Sequence, residues 1–225
     1  DEKCKMGENE SYICHLIRND LVEEFISYVN HRNISLFNAT IKPSIFETNT
    51  FLIKNQNTKL IEYAAFFGSI EIFQFLLFNN VELTPSLWLY SIHGRNGEII
   101  HILEENHVQP PNNSYEECFL ESVKCHHNEI ANYIQNNLMS NQANIESSFH
   151  FYNFAFFPDI LTLKSCLEYS CKYNYFSIVK YLLKNEIEDE FYIQCLHSAA
   201  SRNNSEIVNF LLTKYKKITP YLFEQ

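Results

Sequence analysis

Glycine is scarce in this chain, with four residues in 225. A glycine-rich phosphate loop is therefore excluded, and the nearest approach to one, Gly94-Arg95-Asn96-Gly97, has neither the length nor the lysine of a P-loop. Basic residues are also few: 17 Lys and Arg stand against 27 Asp and Glu, giving a formal net charge of −10. No cluster of them is long enough to track a phosphate backbone, which argues against nucleic acid as a partner. The same shortage argues against an anionic membrane surface, where each basic residue contributes only about 1 kcal/mol. No apolar run approaches the roughly 20 residues of a membrane span, and Asp1-Glu2-Lys3-Cys4 has no signal-peptide core. The seven cysteines contain no C-x-x-C pair, and an odd set of this kind fits reduced thiols rather than a disulfide framework. The expected location is the cytoplasm, with cytoskeletal association open. Without an initiator Met, the chain reads as a piece of something longer.

Hydrophobic residues, at 46%, and charged residues, at 20%, are in the proportions of a chain that packs a core. The informative feature is internal repetition. Residues Ile61 to Leu77 align without a gap with Leu196 to Leu212, and weaker copies are anchored on Glu98-Ile99, Glu129-Ile130 and Ser177-Ile178, with Asp20-Leu21-Val22 as a degenerate first copy. Successive anchors from Ile72 to Ile207 lie 27, 31, 48 and 29 residues apart, within the range of solenoid periods.

Each copy reads as two short helices. The first carries a pair of mostly small residues (Ala64-Ala65, Ser91-Ile92, Ser122-Val123, Ser170-Cys171, Ala199-Ala200) that permits close approach of neighbours. The second repeats apolar residues at i, i+1, i+4 and i+5, as in Ile207, Val208, Leu211 and Leu212, with an acid in its first turn at 71, 98, 129 and 206. A negative charge there meets the positive end of the helix dipole and contributes about 0.3–1 kcal/mol. One such hairpin cannot bury its apolar face alone, so the expectation is an all-α array of stacked helix-turn-helix units.

The string Leu196-His197-x-Ala199-Ala200 followed by Glu206-Ile207-Val208-x-x-Leu211-Leu212 resembles the core of an ankyrin repeat, and Leu60 to Val81 resembles another. The block from Ile13 through Ile134, with Ile41-Lys42-Pro43-Ser44-Ile45-Phe46-Glu47, Leu60 to Gly68, Val81 to Tyr90 and Cys125-His126-His127-Asn128, resembles a domain of unknown function that heads large protozoan ankyrin-repeat families. The resemblance implies an ankyrin-like helical solenoid. Few glycines and spacings below 33 imply shortened or missing β-hairpin fingers. The implied layout is an N-terminal domain over 1–135, with units at 10–30, 59–81, 86–108 and 117–138 around an insert at 31–58. An aromatic-rich insert follows over 136–162, then units at 165–187 and 191–215 within 163–225. Ile218-Thr219-Pro220-Tyr221-Leu222-Phe223 repeats the plan of Leu83-Thr84-Pro85-Ser86-Leu87-Trp88 and reads as the opening of a further unit.

The chemistry-bearing residues suggest no catalytic site, cofactor or metal. Cys118, Cys125, His126 and His127 are the best metal candidates, but they lack structural-zinc spacing. Cys195 and His197, two apart on a helix, point in different directions, and the resemblance makes His197 a brace between repeats. Trp88 reads as core. The dense segment Phe149 to Phe157 reads either as an insert tucked against the array or as a hydrophobic anchor for a partner.

The implied function is a non-catalytic scaffold or adaptor that binds another protein, with an architectural subunit of a large cytoskeletal or ciliary assembly as the alternative. By the resemblance, exposed contact positions follow the small pair: Phe66-Phe67, His93-Gly94, Lys124-Cys125, Lys172-Tyr173 and Ser201-Arg202. The candidates for partner contact are Phe66, Phe67, Lys172, Tyr173 and Arg202, together with Phe151, Phe154 and Phe156 of the aromatic segment.

Overall fold

A computed structural model of the chain describes residues 7–140, 146–156, 163–184 and 188–214. Within these the protein is all-helical, with α-helices in sequential packing and no strand among the described residues. A single antiparallel bridge, Thr40 to Lys59, is the one extended pairing among them. The proposed start of a further unit at 218–223 lies outside the described residues, as do Phe157 and the 141–145 and 157–162 parts of the aromatic-rich insert. The chain divides into two compact units, 1–143 and 144–225.

In the first unit, helices α1 (Tyr12–Arg18) and α2 (Val22–His31) form a hairpin, followed by the short α3 (Thr50–Lys54). Three more pairs follow: α4 (Leu60–Phe67) with α5 (Ile70–Phe78), α6 (Leu87–Gly94) with α7 (Gly97–Glu105), and α8 (Glu116–Lys124) with α9 (Asn128–Tyr133). The helix α9 continues into a wider turn over Ile134–Leu138. First helices pack on first helices in the order α1, α4, α6, α8, while α2, α5 and α7 pack in a second layer.

The small residues explain the closeness of the first layer. Ala64 and Ala65 of α4 are fully buried, and a Cβ on Gly94 of α6 would lie 2.0 Å from the Ala65 carbonyl oxygen. The acids Glu71, Glu98 and Glu129 stand in the first turns of the second helices, where the dipole favours them. The N-terminus of α5 has a further anion: both oxygens of Asp20, in the α1–α2 turn, accept from the Glu71 and Ile72 N–H groups at 3.0 Å.

Each hairpin turns through one left-handed residue just before its second helix: Asp20, Gly68, Arg95 and His126 have φ between 49° and 69°. The following N–H reaches back to close the turn, as in Ser69 to Ala64 at 2.9 Å and His127 to Ser122 at 2.9 Å. This satisfies carbonyls that the helix end leaves open.

The segment between α2 and α4 is anchored to this stack. Ile41 N–H donates to the Thr58 carbonyl at 2.8 Å, Asn9 Nδ2 donates to the Lys42 carbonyl at 2.7 Å, and Thr48 N–H donates to the Gly7 carbonyl at 3.0 Å. The capped helix α3 then presents Phe51 to α4 and α6.

In the second unit α10 (Glu146–His150) precedes α11 (Leu163–Lys172), α12 (Phe176–Leu182), α13 (Asp189–Ala200) and α14 (Ser205–Lys214). Helix α11 packs on α12 and α13, and α14 on α12 and α13. Their core holds Leu167, Cys171, Val179, Phe191, Cys195, Ala199, Ile207 and Leu211. The left-handed turn recurs here at Asn174 and Asn203, and at Tyr152 after α10. The sequence pattern expects Leu212 in the buried stripe of α14, but it is 44% exposed, because the helix buries only the i and i+4 positions Ile207 and Leu211 fully.

Candidate functional site

The ends of the first helices in the first unit converge on one open cleft of ≈ 530 Å³, lined by Phe51, Phe66, Phe67, His93, Glu121, Lys124, Cys125 and His127 among others. Three positions that follow the small pairs, 66–67, 93–94 and 124–125, therefore share one surface. The reason is periodicity: each lies at the same point of consecutive hairpins.

Phe66 is not exposed as the resemblance implies. It is 8% accessible, because the intervening segment places Phe51 beside it with ring centroids 5.9 Å apart and the His93 ring stacks on it at 4.8 Å. Phe67 is half-buried against Tyr63 and Phe66, with the Arg18 guanidinium 6.0 Å from its ring centre. Lys124 is exposed.

His93 has an organised environment. Its ring lies 4.3 Å from Phe51, centroid to centroid, and Nε2 is 3.0 Å from Glu121 Oε1. Cys125 Sγ lies 3.9 Å from that same nitrogen and 3.9 Å from Glu121 Oε1. Lys124 Nζ donates to both Glu121 oxygens, at 2.8 and 3.0 Å. Burial would raise the Glu121 carboxyl, but the hydrogen bonds from His93 and Lys124 outweigh it and hold it at about 2. Burial, with the Glu121 charge beside it, pushes the Cys125 thiol up to about 11.

The four metal candidates of the sequence reading do not assemble. Cys118 is wholly buried in the core, His126 is exposed at the left-handed turn, and His127 Nδ1 is held by the Ile92 carbonyl at 2.7 Å. Of the four, Cys125 alone joins a cluster, and its neighbours there are His93 and Glu121, which lie 32 and 4 residues away in the sequence.

In the second unit Lys172, Tyr173 and Arg202 do come together. Lys172 Nζ is 2.5 Å and Tyr173 OH 2.6 Å from Glu146 Oε1, while the Arg202 guanidinium lies 5.6 Å from the Tyr173 ring centre. The aromatic segment folds against α11 and α12 of its own unit. Phe149 is buried with its carbonyl accepting from Tyr175 OH at 2.5 Å, and Phe156, at 7% exposure, is buried rather than presented as an anchor. Phe151 is half-buried, and Phe154, 43% exposed, remains on the surface.

His197 is exposed, and its ring forms no hydrogen bond among the described residues, so a brace to an adjacent repeat is not seen among them. Asn204 does that work instead, with Nδ2 donating to the Cys171 and Lys172 carbonyls at 2.8 and 2.9 Å. No described helix is long and apolar enough to cross a membrane. The sequence matches no protein-family model and no curated protein.

Proposed function

We propose that both units are stretches of ankyrin-type helical solenoid and that the chain is a non-catalytic scaffold that binds another protein. The observation that carries this reading is the convergence of Phe67, His93, Lys124 and Cys125, from successive first helices, on one open cleft. A surface built by repetition in this way is extended and varies in chemistry from one unit to the next, which suits recognition of a long protein segment.

In the second unit, Tyr173 and Arg202 occupy the corresponding positions, and aromatic and Arg residues dominate binding energy in protein interfaces. The test uses tagged full chain in cells of its source, with Phe67→Ser, Lys124→Glu and Arg202→Glu as single variants and Gln74→Lys, on the exposed side of α5, as control. A bound protein recovered with the parent and the control, and lost by about tenfold or more in at least one variant of unchanged melting temperature, supports the reading. Equal recovery across all four variants rejects it.

A further inference from the structure

We infer that His93, Glu121 and Cys125 form a binding site for a single zinc-class divalent cation, within the same cleft but not dependent on a partner protein binding there. The three donors come from two helices. Glu121 and Cys125 are four residues apart along α8 and its C-terminal cap, so they share one face, as the paired ligands of helical metal motifs do. His93, the penultimate residue of α6, approaches from the preceding hairpin.

The distances fit one ion. With metal–ligand lengths of about 2.3 Å for sulfur and about 2.0–2.2 Å for nitrogen and oxygen, a tetrahedron has edges of about 3.4 Å between N and O and about 3.6 Å between S and either. The observed separations are 3.0 Å for Nε2 to Oε1, and 3.9 Å from Sγ to each of them. Sγ also lies 3.6 Å from Nδ1, so it stands beside the ring rather than in line with Nε2, and a change of the Cys125 side-chain rotamer is what brings the sulfur round to complete the site.

The surroundings are those of a held ligand set. Phe66 stacks on the imidazole and Phe51 packs against it at a tilt, which restricts the ring's plane. Lys124 contacts both carboxylate oxygens, so it can keep Oε2 while Oε1 turns to the ion. A thiolate, an imidazole and one carboxylate form a mixed soft and borderline set that selects zinc over magnesium or calcium. On binding, the Cys125 thiol proton leaves to solvent and the sulfur lone pair forms the metal bond. The cleft leaves the fourth position open to water.

The full chain, freed of metal by chelation, is titrated with Co2+ and then Zn2+. The expected result is one Co2+ per chain, with the intense visible absorption of a tetrahedral ion and a thiolate-to-cobalt charge-transfer band, both abolished by equimolar Zn2+. Cys125→Ser removes the charge-transfer band, Glu121→Gln weakens binding by at least about tenfold, and Cys166→Ser changes neither. Because His93→Gln also removes a stacked ring, the independent readout is made on the parent protein: Zn2+ slows iodoacetamide capture of Cys125 by at least about tenfold and leaves Cys166 unaffected. A band that survives Cys125→Ser, or equal capture of Cys125 with and without Zn2+, would overturn the inference and leave His93 and Glu121 as a hydrogen-bonded pair only.

Discussion

His127 Nδ1 donates to the main-chain carbonyl of Ile92 across 2.7 Å, tying the turn of one hairpin to the first helix of the one before it. The same position, immediately after the left-handed turn residue, makes the same kind of bond elsewhere. Ser69 Oγ donates to Ile17 O at 2.5 Å, Asn96 Nδ2 to Gly68 O at 3.0 Å, Tyr175 OH to Phe149 O at 2.5 Å and Asn204 Nδ2 to Cys171 O at 2.8 Å. Four pairs of hairpins, and the single helix α10 with the hairpin after it, are thus joined by one device that tolerates Ser, Asn, His or Tyr. The carbonyls that accept these bonds lie at helix C-terminal ends, where intrahelical partners are lacking.

Removing the His127 bond leaves the Ile92 carbonyl with only the longer bond from Arg95 N–H, at 3.3 Å. His127→Ala is expected to lower the stability of the first unit by about 1 kcal/mol, while His127→Asn, which restores the side chain used at 96 and 204, recovers most of it. Urea unfolding in the presence of chelator measures both. Equal losses for the two variants would show that the ring's packing, not its hydrogen bond, matters.

Much of this architecture is legible in the sequence. The acids at 71, 98, 129 and 206 do stand in first turns, and Trp88 is core, with its Nε1–H donating to the Val108 carbonyl at 2.8 Å. What stays hidden has physical causes. The turn position is glycine only at Gly68; Asp20, Arg95, His126, Tyr152, Asn174 and Asn203 adopt the same left-handed conformation, so a search for glycine stops sees one of these seven turns. Helix α10 ends in the same turn, with Asn153 N–H bonded to Ser148 O at 2.8 Å, which accounts for part of the long gap between Ile130 and Ile178. The burial of Phe66 depends on Phe51, a residue of an insert whose placement no period encodes. His93 and Glu121 are 28 residues apart and meet only because they occupy nearby points of successive hairpins.

The contact between α4 and α6 is a sharp test of packing. A Cβ on Gly94 would sit 2.0 Å from Ala65 O and 2.7 Å from Gly68 N, both backbone atoms that cannot swing aside. Gly94→Ala is expected to cost at least about 3 kcal/mol by forcing the two helices apart. Gly97, where a Cβ meets nothing within 4 Å, should behave oppositely: Gly97→Ala gains about 0.4–1 kcal/mol by restricting the unfolded chain. Thermal melts of the two variants should move in opposite directions.

Neighbouring phenylalanines should likewise separate. Phe66→Ala empties a site enclosed by Phe51, Phe67 and His93 and is expected to cost about 3–5 kcal/mol. Phe67, half-buried at the cleft, should cost less than half of that on the same truncation. A larger loss at 67 than at 66 would show that the α3 segment does not cover Phe66 in solution.

Alkaline pH offers a test of the core that involves no packing change. Burial raises the phenol of Tyr63 well above its ordinary value, with Cys14 beside it adding to the shift, and burial pushes Tyr90 up to about 12 against the opposing hydrogen bond with Thr58. For both groups the folded value lies above the unfolded value of 10.0, so the folded chain holds a proton that the unfolded chain has released. Their contribution is therefore fully present below pH 10.0 and is lost as pH rises, through about 12 for Tyr90. Tyr90→Phe, which keeps the ring and cannot ionise, isolates the effect. Its stability relative to the parent should improve steadily as the pH is raised from 10 towards 12 in matched urea titrations. A difference that stays constant over that interval would mean that the Tyr90 phenol ionises in the folded state as easily as in the unfolded one, and that its ring edge is open to water.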